Sequence, residues 1–248
     1  MFQSFLKNYF KSLYERTMTE AYSLASENII SSLKEGGACL DCGANTGYWF
    51  EQLASKIGLT KELYYGIEWN KECVKEAQKK HLNIQQGDLN KTLPFENDKF
   101  TCIFGLSVLE HLLNGCHFLG ECHRALKPGG SLIILTPNIS TYFTAFLILA
   151  GRMPSSGPHP DSNALVQSEE IYKVSSTNLV WDTESDTPVH RHLIVFSFLV
   201  LEKYLKLLGF SRVRGYGFGL YPLPNILQPL AEKIDPWHCH QMVFIAKK

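Results

Sequence analysis

Apolar positions along this chain follow two alternating rhythms. Phe2, Phe5, Leu6, Tyr9, Phe10 and Leu13 recur at helical spacing, with Lys7 and Lys11 between them. Thr19 to Lys34 gives a second helical run, closed by Gly36 and Gly37. The period then shortens. Ala38 to Cys42 reads as a short buried strand, and Glu62 to Glu68 alternates as a strand does. Between them Trp49, Phe50, Leu53 and Ile57 mark a helix over Gly47 to Ile57 that Gly58 stops. Asn70 is the N-cap expected of a helix running to Lys80. Leu82 to Gly87 and Phe100 to Leu106 supply a third and a fourth strand.

The run Ser107 to Leu126 places Leu109, Leu112, Leu113, Cys116 and Leu119 on one face and predicts one long helix. Lys127 to Gly130 then predicts a turn, and Ser131 to Pro137 a fifth strand. Strand and helix alternating in this way make parallel βαβ units. The expected fold is α/β: a doubly wound, Rossmann-like, seven-stranded and mostly parallel sheet, with helices on both faces. Past Pro137 the rhythm breaks. Residues 138–196 are rich in Pro, Ser, Gly and Asp and read as a cap inserted after strand five. Phe196 to Gly209 resumes as a helix, and Phe210 to Phe218 and Cys239 to Lys248 read as final strands. The chain thus divides into an N-terminal helical segment (1–35), a core (36–137), the cap (138–196) and a completion of the sheet (197–248).

Composition narrows the partners. Lys plus Arg and Asp plus Glu are each 24, so no basic excess calls for nucleic acid. Seven cysteines, odd in number and scattered, fit reduced thiols in a cytoplasmic protein that needs no disulfides. Lys7, Asn8 and Lys11 interrupt the N-terminal apolar residues, so no signal peptide is read there. Tyr142 to Ala150, the longest apolar run, is too short to span a bilayer. The aromatic and lysine N-terminal helix suits packing on its own domain, on a second subunit of a homodimer, or on a membrane surface.

The chemistry centres on Asp41, Gly43, Asn45 and Gly47, in the turn between the first strand and the first core helix. In doubly wound sheets ligands bind beyond the carboxyl ends of the strands, so this turn passes close to the ligand. Gly43 and Gly47 give it positive φ and bare main chain. Asn45 stands where the left-handed region is needed, which Asn tolerates. The spacing is D-x-G-x-x-x-G and lacks the G-x-G of dinucleotide folds.

With Glu68 ending strand two, Gly87-Asp88-Leu89 after strand three, Leu109-Glu110-His111 after strand four and Lys127-Pro128-Gly129-Gly130 before strand five, the pattern resembles the class I S-adenosylmethionine-dependent methyltransferases. The resemblance covers about residues 36–137. It implies S-adenosyl-L-methionine as cofactor and S-adenosyl-L-homocysteine as product. Glu68 would then hold the ribose hydroxyls, Asp88 would accept from the adenine amino group, and the amide of Leu89 would serve the ring. Ala44 and Tyr48 in the turn, Trp69 as an adenine-stacking or packing residue, and Gly105 and Leu106 at the end of strand four complete the expected cofactor-binding set.

Such chemistry asks the protein to align an acceptor and, for a hydroxyl acceptor, to take a proton. His111, His190 and His192 are the catalytic candidates. Each histidine is equally readable as a hydrogen-bonded structural residue. Arg191 suits an anionic group or the surface, and Tyr142, Tyr172 and Trp181 could close a cap over a small-molecule acceptor. No metal site is read. Cys39 and Cys42 lie within the strand and the turn, and His238 and His240 read as strand residues. The cap and tail, through Pro137-Asn138, Gly151 to Pro154 and Asp186 to His192, resemble the MetW-like proteins and the wider group of bacterial sugar- and lipid-associated methyltransferases, which would make a glycan or lipid precursor the acceptor. The MetW-like resemblance offers a second reading, a regulatory subunit of a methionine-biosynthesis acyltransferase.

Overall fold

The computed structural model describes residues 2–162, 164–165 and 191–248. Seven strands form one sheet: β1 (Cys39–Cys42), β2 (Tyr64–Glu68), β3 (Asn83–Gln86), β4 (Phe100–Leu106), β5 (Leu126–Pro137), β6 (Arg212–Phe218) and β7 (Gln241–Lys247). Their order is β3-β2-β1-β4-β5-β7-β6. The first five are parallel, and β7 runs antiparallel to both β5 and β6. The chain reverses direction across the sheet between β1 and β4, where such folds open their ligand crevice.

Helices cover both faces. α1 (Phe2–Leu33), α2 (Tyr48–Ile57) and α3 (Lys71–Lys79) bury Ala21, Ala25, Ile29, Leu53, Val74 and Ala77 against Cys39, Tyr64, Phe104 and Ile133. On the other face α4 (Gly115–Ala125) and α6 (Phe198–Leu207) pack Phe118, Leu119, Cys122, Phe198, Leu201 and Leu205 on Leu40, Ile103 and Phe244. Two further helices, α5 (Tyr142–Leu149) and α7 (Gln228–Ile234), follow β5 and β6. Capping fixes the ends as the residue types require. The Asn70 side chain accepts from the amides of Glu72 and Cys73, and Gly58 closes α2 in the left-handed region.

Several elements depart from the sequence pattern for identifiable reasons. The two N-terminal helical runs are one 32-residue helix. Its buried stripe recurs every four residues, at Leu13, Thr17, Ala21, Ala25, Ile29 and Leu33, and passes through the polar Arg16-Thr17 step without a break. Thr17 is accommodated because its hydroxyl donates to the carbonyl of Leu13, and Arg16 reaches Glu232 at 2.9 Å. Phe10 lies 5.4 Å from Phe143, so this aromatic face rests on the protein's own α5.

The single helix expected over Ser107 to Leu126 is two pieces, a 3₁₀ turn (Leu109–His111) and α4. The Asn90 side chain accepts from the Asn114 amide at 2.9 Å and draws the chain out of helix. Gly115 lets Leu109 fold back, since a Cβ there would stand 2.9 Å from Leu109 Cδ1. Lys127 to Gly130 is a bulge within β5 rather than a turn before it, with Phe100 opposite Leu126 and Cys102 opposite Ser131. Part of the expected strand Cys239 to Lys248, and Trp237-His238 before it, form a 3₁₀ turn and its exit: Pro236–His238 is the turn, and His240 is buried ahead of β7. No described helix is long and apolar enough to cross a membrane.

Candidate active site at the carboxyl edge of the sheet

Three left-handed residues bend the chain after β1: Gly43 at φ 84°, Asn45 at φ 48° and Gly47 at φ 88°. The amides of Gly43 and Ala44 both donate to the Ile67 carbonyl, which ties the turn to β2. Asn45 adds its own amide to Glu68 Oε2 at 2.8 Å, and Glu68 Oε1 accepts from the Asn70 amide at 2.7 Å. The Glu68 carboxylate is therefore fixed at the mouth of the turn, with each oxygen retaining a lone pair for a second donor. The two glycines do more than bare the main chain. A Cβ at Gly43 would meet Val108 Cγ2 at 2.7 Å, and one at Gly47 would meet Leu82 Cδ1 at 2.2 Å.

The other expected cofactor residues surround this turn. Asp88 follows β3, its Oδ1 accepting from the amide and side chain of Asn90 at 2.9 and 3.0 Å. Leu89 beside it is buried. Tyr48 and Trp69 are exposed, at 58% and 72%. Gly105 pairs with Cys42 and Ile134, and Leu106 ends β4 half-buried. Asp41 lies elsewhere. It is buried under the turn and accepts a hydrogen bond from the Tyr64 hydroxyl. Burial raises its pKa to about 7, against the pull of that hydrogen bond. In this structure Asp41 braces the base of the turn and does not line the crevice.

A second cluster sits where β4 and β5 end. Ser107 leaves β4 at φ 57°, and the 3₁₀ turn that follows points Glu110 inward. Glu110 is buried, and its Oε2 accepts from the Thr136 hydroxyl at 2.9 Å. Its main-chain carbonyl accepts from the Leu193 amide at 2.7 Å, which stitches the returning segment to this turn. The Nδ1 of His111 donates to the Arg191 carbonyl at 3.0 Å, and that of His192 to the Ser156 carbonyl at 2.6 Å. The two rings lie 5.1 Å apart. Burial lifts the Glu110 carboxyl to about 7, lowers His111, and drives His192 down to about 3.

Two of the three candidate histidines, His111 and His192, thus come together. His190, Tyr172 and Trp181 lie outside the described residues. Tyr142 is engaged away from the cluster, donating to Asp235 and stacking on His238. Glu110 entered the sequence pattern only as part of Leu109-Glu110-His111, with no role of its own, and His159 was not singled out. A continuous helix would have left Glu110 beside His111 as an ordinary polar position, and only the broken helix turns it inward. His159 carries no local signal. It meets His192 through two main-chain contacts, its amide donating to the His192 carbonyl and its Nδ1 accepting the His192 amide.

The core is a doubly wound α/β sheet with a left-handed glycine turn after its first strand. Residues 40–134 match the family model described as "Methyltransferase domain". A probable S-adenosylmethionine-dependent methyltransferase of Mycolicibacterium smegmatis is 27% identical over 109 residues, 43% of this chain and 40% of the relative. The mitochondrial ubiquinone biosynthesis O-methyltransferase of Dictyostelium discoideum is 30% identical over 139 residues, 49% and 42% of the two chains. The chain thus spans less than half the length of these curated relatives. Among solved structures, a putative methyltransferase complexed with the Trm112 activator from Haloferax volcanii aligns over 100% of this chain and 97% of its own, at TM-score 0.55 and 15% identity. An S-adenosylmethionine-dependent methyltransferase from Archaeoglobus fulgidus aligns over 91% and 94%, at TM-score 0.53 and 18% identity. Residues 40–134 thus carry the likeness to S-adenosylmethionine-dependent methyltransferases, and the solved structures share the fold over most of the chain.

Proposed function

We propose that the chain transfers a methyl group from S-adenosylmethionine to an oxygen, nitrogen or carbon nucleophile of a small molecule. The observation that carries this reading is the Glu68 carboxylate locked to the glycine turn by the Asn45 amide. It offers a diol-binding acceptor beside main chain that has no Cβ at Gly43 or Gly47. The donor set fits the cofactor: Glu68 for the ribose hydroxyls, Asp88 and the Leu89 amide for the adenine, and exposed Trp69 for its face.

The cofactor supplies an activated methyl, so the chain's own work is to bind, orient and exclude water. Bound S-adenosylmethionine would supply a methyl that the acceptor's lone pair takes as the methyl–sulfur bond breaks, with the bonding pair left on sulfur as a neutral thioether. A hydroxyl acceptor also sheds its proton. Glu110, His111 and His192 line the acceptor side, next to the end of β4. Burial leaves His192 neutral and a weak base, so its part is to hold rather than to take a proton. The MetW-like reading of the cap rests on its sequence motifs alone.

The test is incubation with methyl-labelled S-adenosylmethionine and a fractionated metabolite extract. The expected result is label in a small-molecule fraction, matched by S-adenosylhomocysteine release. Cofactor binding without release in any fraction would support a regulatory subunit instead.

A further inference from the structure

Glu110, His111 and His192 each bring one ligating atom to a shared space, and these atoms all lie within 4.8 Å of one another. They arrive from two segments. The 3₁₀ turn after β4 supplies the first two, and the stretch that re-enters at Arg191 supplies the third. We propose that this trio binds a divalent first-row transition cation, ligated by two imidazoles and one carboxylate.

The orientation of each group supports this. Each ring is oriented by an Nδ1–H donated to a main-chain carbonyl, Arg191 for His111 and Ser156 for His192. Metal-binding histidines are held by this kind of second hydrogen bond. Glu110 has the equivalent support in the Thr136 hydroxyl. Among the described residues no lysine or arginine pairs with this buried carboxylate.

The third ligand is held rigidly. His192 is clamped through its main chain by His159, and Gly157 packs so closely that an added Cβ would stand 2.6 Å from His192 Cβ. Atoms bound at about 2.1 Å to one ion stand no more than about 4.2 Å apart. Reaching that limit from 4.8 Å takes a shift of about 0.6 Å, made by the Glu110 and His111 side chains toward His192. Two nitrogens and one oxygen suit zinc, iron(II), cobalt or manganese better than magnesium or calcium, which prefer all-oxygen sites. A role for the ion in polarising an acceptor hydroxyl rests on the methyltransferase reading. Binding of the ion does not.

The test is a cobalt(II) titration of the chelator-stripped, full-length protein, followed by visible absorption and calorimetry. The expected result is one equivalent bound, with d–d bands and no thiolate charge-transfer band. Glu110→Gln and His192→Ala should each weaken binding by about tenfold or more while circular dichroism stays native. Should His192→Ala fail to fold, the near-isosteric Glu110→Gln carries the comparison. No cobalt bound to the wild type, a thiolate band, or equal binding in both variants would overturn the proposal. S-adenosylhomocysteine calorimetry on the same stripped protein separates the two readings. Cofactor binding without cobalt binding removes the metal site alone, whereas loss of cofactor binding strikes the methyltransferase reading.

Discussion

The amide of Asn45 donates to Glu68 Oε2 at 2.8 Å, so the turn after β1 and the tip of β2 are one hydrogen-bonded unit. Glu68 also accepts from Asn70, the residue that caps α3. One carboxylate thus sets the turn, the strand end and the next helix start. Replacing it with Gln puts an NH2 group against a main-chain N–H at one of the two positions. We expect Glu68→Gln to cost about 1–3 kcal/mol of S-adenosylhomocysteine affinity, the rough cost of a stranded donor. Calorimetry on the variant checks this, with a thermal melt to show that the fold survives. Unchanged affinity removes Glu68 from the site.

Gly43 faces Val108 rather than open space, with 2.7 Å between an added Cβ and Val108 Cγ2. Gly43→Ala should therefore destabilise the protein by about 1–3 kcal/mol, from crowding together with the positive φ. Adding Val108→Ala should recover the crowding part and leave the φ part. A double-mutant cycle by denaturant unfolding should show a coupling of about 0.5 kcal/mol or more. Strict additivity would mean that the turn shifts away from Val108.

Asp41 gives a pH signature. Its ordinary pKa of 3.8 rises to about 7 in the fold, chiefly through burial, so between about pH 4 and 7 the folded protein keeps a proton that the unfolded chain has lost. Stability contributed by this group is then greatest below the window and falls as the pH climbs through it. Buried His192 and His240 slope the other way, since burial lowers them to about 3 and about 4. Their effect is common to wild type and Asp41→Asn and cancels in the difference. The wild type should lose up to about 4 kcal/mol relative to Asp41→Asn between pH 4 and 8. Urea unfolding across that range measures it, and a pH-independent difference would contradict the assignment.

Much of this was legible in the sequence where local rules dominate. Asn45 was expected in the left-handed region because Asn is among the few side chains that tolerate it, and it lies at φ 48°. Asn70 caps α3 and Gly58 ends α2 as their types require. The strand Phe100–Leu106 coincides with its apolar run. The misses come from contacts distant in sequence. The apolar spacing from Ser107 to Leu126 is helical throughout, yet the Asn114 amide, donating to the Asn90 side chain, breaks it. That break is what turns Glu110 into the interior. Asp41 had the spacing of a ligand residue, but strand alternation set it on the face where Tyr64 meets it. His159 reaches His192 only through the folded chain, across 33 residues.

The most direct measurement is the binding of S-adenosylhomocysteine to the wild-type protein by titration calorimetry, with NADH as the competing nucleoside. The account predicts saturable binding at one site for the former and none for the latter, because Asn45 stands where a dinucleotide turn has the second glycine, the one that lets main chain approach the pyrophosphate. No heat at saturating S-adenosylhomocysteine, or binding of NADH in its place, would contradict it.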